Sequence, residues 1–547
     1  TIFGYPGGAV IDLYDELMES PELNHVLVRH EQAAVHAADG YARVSGDVGV
    51  ALLTSGPGAT NGVTGIATAY RDSIPLVILP GQVPTPLIGN DAFQEVDIVG
   101  ITRPCTKHNY LVNSKEELIG VMREAFHVAR TGRPGPVLVD LPKDIINSTI
   151  DFEDRKPIHM PSYQPNIEPH MEQVDKACRL IMEARKPVLY VGGGVILSNG
   201  AAELTELAVK LNIPVTMTLM GLGAFPGHHE LSMGMLGMHG TYTANMAVAE
   251  SDLLISVGAR FDDRVTGKLD TFATNAKIIH VDIDPTSISK NVKVDVPIVA
   301  DCRKALTALN NWFNNQQDIS VADEKAKHQE WFEQISTWQE LHPLGYQEDG
   351  EQIKPQYVVE MLDKHTNGEA IIATEVGQHQ MWAAQFYRFS DPRRFLTSGG
   401  LGTMGYGFPA AIGAKMAMPD KVCIDIAGDG SIQMNIQELA TARQYNTPVK
   451  IAILNNQFLG LVRQWEELFY EKRYASTVMD IAPDFVELAK AYGAVGLRAT
   501  KKSEVEDVIK EALAVDNTVL MDFKISREEG VFPMVPAGKS TTEMLLV

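Results

Sequence analysis

The chain has 547 residues and a formal net charge of −22, from 69 acidic against 47 basic residues. That surface excludes nucleic acid and anionic membrane as partners, so any anionic substrate has to be met by local Arg or Lys. The length predicts about three domains; 45% apolar residues and 45 glycines fit a soluble α/β protein. Cys105, Cys178, Cys302 and Cys423 are too scattered for a disulfide framework or a zinc site, which fits a reducing, cytoplasmic compartment. No run is apolar enough to span a membrane. The opening TIFGYPGGAVIDLYDEL is not a signal peptide. It begins directly on a strand-like run without Met, so residues are expected in front of Thr1.

The first marked element is RHEQAAVHAADGYAR, Arg29 to Arg43. His30 and His36 are six apart and point roughly 240° apart around a helix, so a shared metal is not expected. On these residues alone Glu31 reads as a first-turn acid at a helix start. A lone carboxylate with chemistry of its own is the second reading.

VALLTSGPGATNGVTGIATAYRDSIPLVILPGQ (50–82) follows, and it is echoed by VCIDIAGDGSIQMNIQELATARQYNTPVKIAILNNQ (422–457). Gly56 and Gly58 answer to Gly428 and Gly430; Ala67–Thr68 and Pro75 answer to Ala440–Thr441 and Pro448. Both read strand, Gly turn, helix, Pro, strand, and a repeat of this size predicts two domains on one plan. Chance likeness between two βαβ units is the alternative. The copies differ where it counts: Pro57 stands where Asp429 stands, and Pro80–Gly81 stand near Asn455–Asn456.

Between the copies, residues 151–172 are rich in Pro and charge and read as a linker. Residues 173–310 alternate strands and helices. KPVLYVGGGVILSNGAAEL, DLLISVGARFDDRVTG (252–267) and AKIIHVDIDPTSISKN (276–291) each end a strand in a polar or Gly-rich loop. That suits an adenosine-phosphate ligand, but an empty scaffold sheet reads the same way, and three glycines without G-x-G-x-x-G are a weak dinucleotide signal. Residues 311–356 read as a linker that carries an amphipathic charged helix, DEKAKHQEWFEQISTWQEL, followed by the polar GYQEDGEQIKPQ. The expected organisation is α/β with three doubly wound parallel-sheet domains, at 1–150, 173–310 and 357–547, the first and third on the same plan.

In IAGDGSIQMN…KIAILNNQF, Asp429 follows one buried strand and Asn456 ends the next, so both belong at the C-terminal edge of a parallel sheet. Gly428 and Gly430 let backbone approach a phosphate, and a helix from Ser431 offers free N–H groups. A carboxylate, an amide oxygen and a backbone carbonyl suit Mg²⁺, with phosphate oxygens completing its shell. A plain Asp-Gly turn and a polar strand end are the alternative for either piece alone.

GDG followed at this distance by NN resembles the diphosphate motif of the thiamine-diphosphate enzyme superfamily. The resemblance implies Mg²⁺ on Asp429, Asn456 and the Phe458 carbonyl. It implies thiamine diphosphate against Glu31, Val376, Gln378, His379, Gly402, Met404, Gly428, Asp429, Gly430, Ser431, Asn456 and Gly460, with Met404 bending the cofactor. Loss of the cofactor's C2 proton needs its pyrimidine N1′ kept protonated, and the superfamily places a glutamate there; Glu31 matches it. The two ends of the cofactor are bound by different subunits in that superfamily, which implies a homodimer or homotetramer with the site at the interface.

GARFDDRVTG and MLGMHGTYTANMAV resemble the anabolic, FAD-containing acetohydroxyacid (acetolactate) synthases, as do GQVPTPLIGNDAFQEVDIVGITRPCTKHNYLV, TGRPGPVLVDLPKDI and LGLVRQWEELFYEKRYAST. The likeness runs from Phe3 to the C-terminal tail. It implies decarboxylation of pyruvate and condensation with a second 2-oxoacid, pyruvate or 2-oxobutyrate, a step of valine and isoleucine biosynthesis. With no net redox change, FAD would be structural, held by Arg133, Gly192, Gly193, Gly194, Thr218, Leu219, Gly258, Arg260, Arg264, Asp282 and Asp301. Gln82, Phe93, Gln94 and Lys143 join Glu31 as catalytic candidates, with a purely structural role as the alternative for Gln82, Phe93 and Lys143. Met238, Arg264 and Trp465 are substrate candidates; a surface salt bridge for Arg264 and core packing for Trp465 are their alternatives. A small regulatory subunit is a further implied partner. A pyruvate oxidase or 2-oxoacid decarboxylase would keep Glu31 and Asp429 but lack RFDDR and Trp465 together; a non-enzymatic scaffold would have lost Glu31, Asp429 or Asn456. One departure is Glu375 in TEVGQHQMWAAQ, where the family usually has Gly or Asp; it is expected to add a charge near the diphosphate.

Overall fold

The structure is a computed structural model that describes residues 1–152, 158–315 and 321–546. Residues 153–157 of the stretch read as a linker at 151–172, and residues 316–320 of the stretch at 311–356, lie outside the described residues.

Three six-stranded sheets organise the chain. The first holds β1 (Ile2–Gly4), β2 (His25–Leu27), β3 (Gly49–Leu53), β4 (Leu76–Gln82), β5 (His108–Leu111) and β6 (Pro136–Pro142), in the order β2-β1-β3-β4-β6-β5, all parallel. The middle sheet holds β7 (Pro187–Val191), β8 (Val215–Met217), β9 (Ser232–Met235), β10 (Leu253–Val257), β11 (Lys277–Asp282) and β12 (Val296–Val299), in the order β12-β11-β10-β7-β8-β9. The third holds β13 (Ile371–Thr374), β14 (Phe395–Leu396), β15 (Cys423–Gly428), β16 (Lys450–Asn455), β17 (Val495–Ala499) and β18 (Val519–Lys524), in the order β14-β13-β15-β16-β18-β17. Strand for strand, the first and third orders coincide, so the echo at 50–82 and 422–457 is one topology used twice. Central strands read as unbroken apolar runs because both faces are covered: every residue of β4, β6 and β16 is buried.

The described residues form two compact units. One comprises Thr1–Gln164, Ala370–Gln380 and Leu396–Glu528; the other comprises Pro165–Glu369, Met381–Phe395 and Glu529–Val547. In the first unit the Glu31–Ser45 and Gly407–Ala417 helices cross in backbone contact. A Cβ at Gly413 would lie 1.8 Å from the Ala37 carbonyl oxygen, and one at Gly40 would lie 2.1 Å from that of Ala410. Only glycine permits this approach. Buried charge secures it: Arg43 Nε meets Asp39 Oδ1 at 2.6 Å, its Nη2 meets Asp72 Oδ2 at 2.9 Å, and the Tyr406 hydroxyl donates to Asp39 at 2.6 Å. Asp72 in turn accepts from the Gly399 and Gly400 N–H groups.

In the second unit the Cys302–Asn315 helix runs across the boundary read at 310/311. The stretch beyond carries the Gln329–Leu341 helix, whose Trp331 and Ile335 enter the core of the middle sheet. Trp331 Nε1 donates to the Pro187 carbonyl at 3.2 Å. An amphipathic charged helix is what the sequence of this stretch predicts, and its apolar stripe is the face that packs. Among the described residues no helix is long and apolar enough to cross a membrane.

Candidate active site

Glu31 opens its helix one residue after His30, whose Nδ1 accepts from the Gln32 N–H and caps the first turn. His36 is buried against the Tyr406 ring, and burial lowers its pKa to about 3. Neither histidine is placed as a metal ligand. The Glu31 carboxylate is half-buried and meets the glycine loop after β3: Asn61 Nδ2 donates to its Oε2 at 2.9 Å, and a Cβ at Gly58 would sit 3.2 Å from its Oε1. The chain leading into Glu31 is clamped from the third sheet's side of the unit. Glu438, 1% exposed, accepts from the Arg29 N–H at 3.0 and 3.1 Å and from Thr441 Oγ1 at 2.6 Å. Burial raises its pKa to about 7 against those donors.

Gln82, the last residue of β4, is buried and fully engaged. Its Nε2 donates to the Val96 carbonyl at 2.9 Å and to Asp140 Oδ2 at 3.1 Å, while its Oε1 accepts from the Val83 N–H. Gln82 therefore ties down the loop 83–97 rather than presenting a free amide. Asp140 lies inside β6, its Oδ1 buried without a partner, and burial raises its pKa to about 7. Phe93, at the tip of the loop, is 89% exposed; Gln94 takes φ +59° and its backbone abuts Gly56. Lys143 Nζ donates to the Gly8 carbonyl at 2.9 Å.

Asp429 immediately follows β15 and Asn456 immediately follows β16, its neighbour in the sheet, as the spacing predicted. Asp429 is 0% exposed. Both its carboxylate oxygens are buried without a well-formed hydrogen bond, approached only by its own and the Asn456 N–H, and burial raises its pKa to about 6. A buried carboxylate in that state needs a cation or a proton, so the donor set fits Mg²⁺. Asn456 Nδ2 donates to Gln378 Oε1, and its Oδ1 accepts from the Phe458 N–H. Phe458 bridges Val478. Glycines are required here by contact: a Cβ at Gly460 would fall 2.1 Å from Gln378 Oε1, and one at Gly428 2.7 Å from His379 Nδ1. His379 is buried with Nε2 unpartnered.

Two expectations change here. No α-helix starts at Ser431; two 3-10 turns, Ile432–Met434 and Ile436–Glu438, precede the Leu439–Gln444 helix. Asn435, at φ −134°, breaks the helix and gives its Nδ2 to the Gly405 carbonyl. The Ser431 hydroxyl is occupied, donating to Glu375 Oε2 at 2.7 Å. Glu375 itself is fully buried at the end of β13, beside Val376. Met404, half-buried, lies in the turn between Gly402 (φ +75°) and Gly405 (φ +83°). Trp465, on the Gly460–Phe469 helix, is half-buried against Phe469 rather than set in a core.

In the second unit the glycines after β7 serve backbone packing. The Gly192 and Gly194 N–H groups donate to the Val257 and Gly258 carbonyls, and a Cβ at Gly192 would lie 2.2 Å from the Gly258 oxygen. Two of the N–H groups expected to face phosphate are thus used internally. Gly193 opens the short helix after β7. Gly258 (φ +64°) and Arg260 follow β10, Asp282 ends β11, Asp301 follows β12, and Thr218 and Leu219 follow β8, so they stand at the C-terminal ends of strands of one sheet. Arg133 belongs to the other unit, where its Nε donates to Ser73 Oγ. Met238 and Arg264 line one cavity of about 110 Å³ with Asp263, Pro536 and Thr541. Arg264 makes only a loose 3.6 Å pair with Asp263, and both side chains are largely exposed. The second unit thus holds Met238 and Arg264, and the first holds Glu31, Gln82, Phe93, Gln94, Lys143 and Trp465.

Asn61, Asp140 and Glu438 escaped the reading of the sequence. Asp140 had a signal, a carboxylate inside the wholly buried PVLVDLP; Asn61 and Glu438 act through partners remote in the chain.

Comparison with known proteins fits this geometry. Residues 1–101 match the thiamine pyrophosphate enzyme N-terminal TPP binding domain, 174–309 the central domain, and 375–523 the C-terminal TPP binding domain. The chain is 50% identical over 550 residues to an acetolactate synthase large subunit of Buchnera aphidicola subsp. Schizaphis graminum, covering 100% of this chain and 95% of that one. It is 50% identical to the acetolactate synthase isozyme 3 large subunit of Escherichia coli K12, covering 100% and 95%. It is 51% identical to an acetolactate synthase large subunit of Corynebacterium glutamicum, covering 99% and 87%. The chain therefore belongs to the thiamine pyrophosphate enzymes and, within them, to the acetolactate synthase large subunit family.

Proposed function

We propose that this enzyme decarboxylates pyruvate and joins the remaining two-carbon unit to the keto carbon of a second 2-oxoacid, giving 2-acetolactate from pyruvate and 2-aceto-2-hydroxybutyrate from 2-oxobutyrate. The observation that carries the reading is Asp429: a fully buried carboxylate with no well-formed hydrogen bond, at a strand end beside Asn456. Such a group would fit a hard divalent cation such as Mg²⁺. Thiamine diphosphate, when bound, supplies a carbon nucleophile at its thiazolium C2. Glu31, with a single amide partner in Asn61, is suited to hold the proton at the pyrimidine N1′. Asp429, Asn456 and the Phe458 carbonyl hold the cation. Arg264 is loosely paired and suited to a substrate carboxylate.

FAD is a structural ligand in this proposal, and the strand ends of the middle sheet support it. The exposed Phe93 suits completion of the site by a second copy, a small regulatory subunit is the further partner, and four free cysteines support a reducing, cytoplasmic setting. The test is incubation with pyruvate, thiamine diphosphate, Mg²⁺ and FAD, assaying acetolactate against acetaldehyde and acetyl phosphate. Acetolactate is expected; acetaldehyde alone would refute the carboligase reading. Glu31→Gln should bind cofactor yet exchange its C2 proton slowly.

A further inference from the structure

Glu375 is the one position singled out in the sequence as a departure from its family's pattern, and its surroundings give it a specific task. It is fully buried at the end of β13. Its Oε2 accepts from the Gly405 N–H at 2.5 Å and from the Ser431 hydroxyl at 2.7 Å, and its Oε1 accepts from the Phe408 N–H at 3.2 Å. The Gly407 N–H adds a further donor. These donors come from separate stretches: the turn carrying Gly402 and Met404, the first turn of the Gly407–Ala417 helix, and the Gly428–Ser431 loop. Glu375 itself begins the stretch carrying Val376, Gln378 and His379. One carboxylate thus fastens together three of the stretches assigned to the cofactor: its own, the Met404 turn and the Ser431 loop.

Its neighbour Asp425 defines its charge. Asp425 is fully buried, both oxygens lack partners, and a Cβ at Gly407 would lie 2.2 Å from one of them. Burial and the facing carboxylate push Asp425 well above the usual carboxylate range, while burial raises Glu375 to about 7 against its donors. Four donors face Glu375 and none faces Asp425, so the charge rests on Glu375 and the proton on Asp425. The charge is met by the N–H and O–H donors of these stretches.

We propose that Glu375 is a positioning residue of the cofactor site, which holds the Met404 turn and the Ser431 loop at the spacing thiamine diphosphate requires. The inference rests on the proposed thiamine-diphosphate site and adds to it a residue that touches no cofactor. An Asp, about 1.5 Å shorter, keeps the charge and cannot reach all three stretches at once. A Gln keeps the length but turns one donor toward a donor.

The test is calorimetric titration of the full chain, freed of cofactor, with thiamine diphosphate and Mg²⁺. Partners that orient a binding group are typically worth on the order of 10- to 100-fold in affinity, so Glu375→Gln should weaken cofactor binding by that factor and Glu375→Asp by less. The KM for pyruvate at saturating cofactor should stay unchanged. If Glu375→Gln fails to fold, Glu375→Asp decides. A merely structural Glu375 would lower the unfolding temperature of the cofactor-free chain and leave the cofactor Kd unchanged; that result overturns the inference. Asp429→Ala separates the two levels. Binding lost in Asp429→Ala and unaltered in the Glu375 variants overturns this inference alone; binding retained in Asp429→Ala overturns the site reading and the inference with it.

Discussion

Gly413→Ala tests the joint between the first and third sheets. The added methyl would sit 1.8 Å from the Ala37 carbonyl oxygen, where 3.4 Å is ordinary contact, so the Glu31–Ser45 and Gly407–Ala417 helices have to part by about 1.6 Å. Overpacking of this kind costs about 1–3 kcal/mol. The separation also strains the buried Arg43–Asp39–Tyr406 group, whose disruption is worth about 3–5 kcal/mol when complete. Alanine's better helix propensity returns about 1 kcal/mol. A net loss of about 3 kcal/mol follows. Gly120→Ala is the matched control: Gly120 lies inside the Lys115–Arg130 helix with nothing within 4 Å of its would-be Cβ, and should gain about 0.5–1 kcal/mol. Two units make a single unfolding free energy ill-defined. Native-state hydrogen exchange of the Glu31–Ser45 amides is therefore the assay, with thermal unfolding beside it. Protection should fall in Gly413→Ala and hold in Gly120→Ala. Equal protection and equal unfolding temperatures in the two variants would refute the contact argument.

Asp429 carries a folded pKa of about 6 against an ordinary value near 4, so the cofactor-free chain binds more protons than its unfolded form between those values, and its stability falls as pH rises through that window, by about 3 kcal/mol for this group. Mg²⁺ competes with that proton, so its apparent affinity, measured by titration in the presence of thiamine diphosphate, should drop below about pH 6; affinity flat from pH 5 to 8 would count against Asp429 as a ligand. Glu438→Gln leaves one of the Arg29 and Thr441 donors facing an amide N–H, and should speed exchange of the Arg29 amide by on the order of 10-fold while slowing C2-proton exchange of bound thiamine diphosphate; unchanged exchange at both would dismiss the clamp. Asp140, raised to about 7, is largely neutral below that pH, so Asp140→Asn should cost less than about 1 kcal/mol whereas Asp140→Ala, stranding a Gln82 hydrogen, should cost about 1–3 kcal/mol. Urea midpoints at pH 6 would separate the two.

The sheets were legible because buried parallel strands advertise themselves as unbroken apolar runs, and LVILPGQ, PVLVDLP and KIAILN all proved to be strands. Asp429 and Asn456 were legible because a strand end is fixed by local sequence. Local sequence does not show tertiary partners. Gln82 was a catalytic candidate with a structural role as its alternative, and only the fold shows that Val96 and Asp140 accept its hydrogens. Ser431 looked like a helix start, yet Asn435 is drawn off to Gly405. Glu375 was legible only as an added charge, and its donors Gly405, Phe408 and Ser431 could not be inferred without knowing which loops meet at the end of β13.

The doubled topology gives these details a common logic. After the third strand of the first sheet and its counterpart β15, each copy sends a glycine loop to the same edge. In one copy that loop leads into Pro57, Gly58 and Asn61, and these meet a carboxylate on the preceding packed helix, Glu31. In the other it carries Asp429 itself. The first loop gives Glu31 one neutral donor, Asn61; the second leaves both Asp429 oxygens without a well-formed hydrogen bond. Under the proposed function the same backbone plan would yield an acid–base group and a metal group, and the difference lies in whether the carboxylate is lent by the loop or brought to it. If that is correct, Asn61→Asp, which sets a second charge beside Glu31, should raise the Glu31 pKa and shift the acid limb of the rate profile upward by about one unit, while leaving Mg²⁺ affinity unaltered. A loss of Mg²⁺ affinity without a shifted profile would show that the two loops do not divide the work in this way.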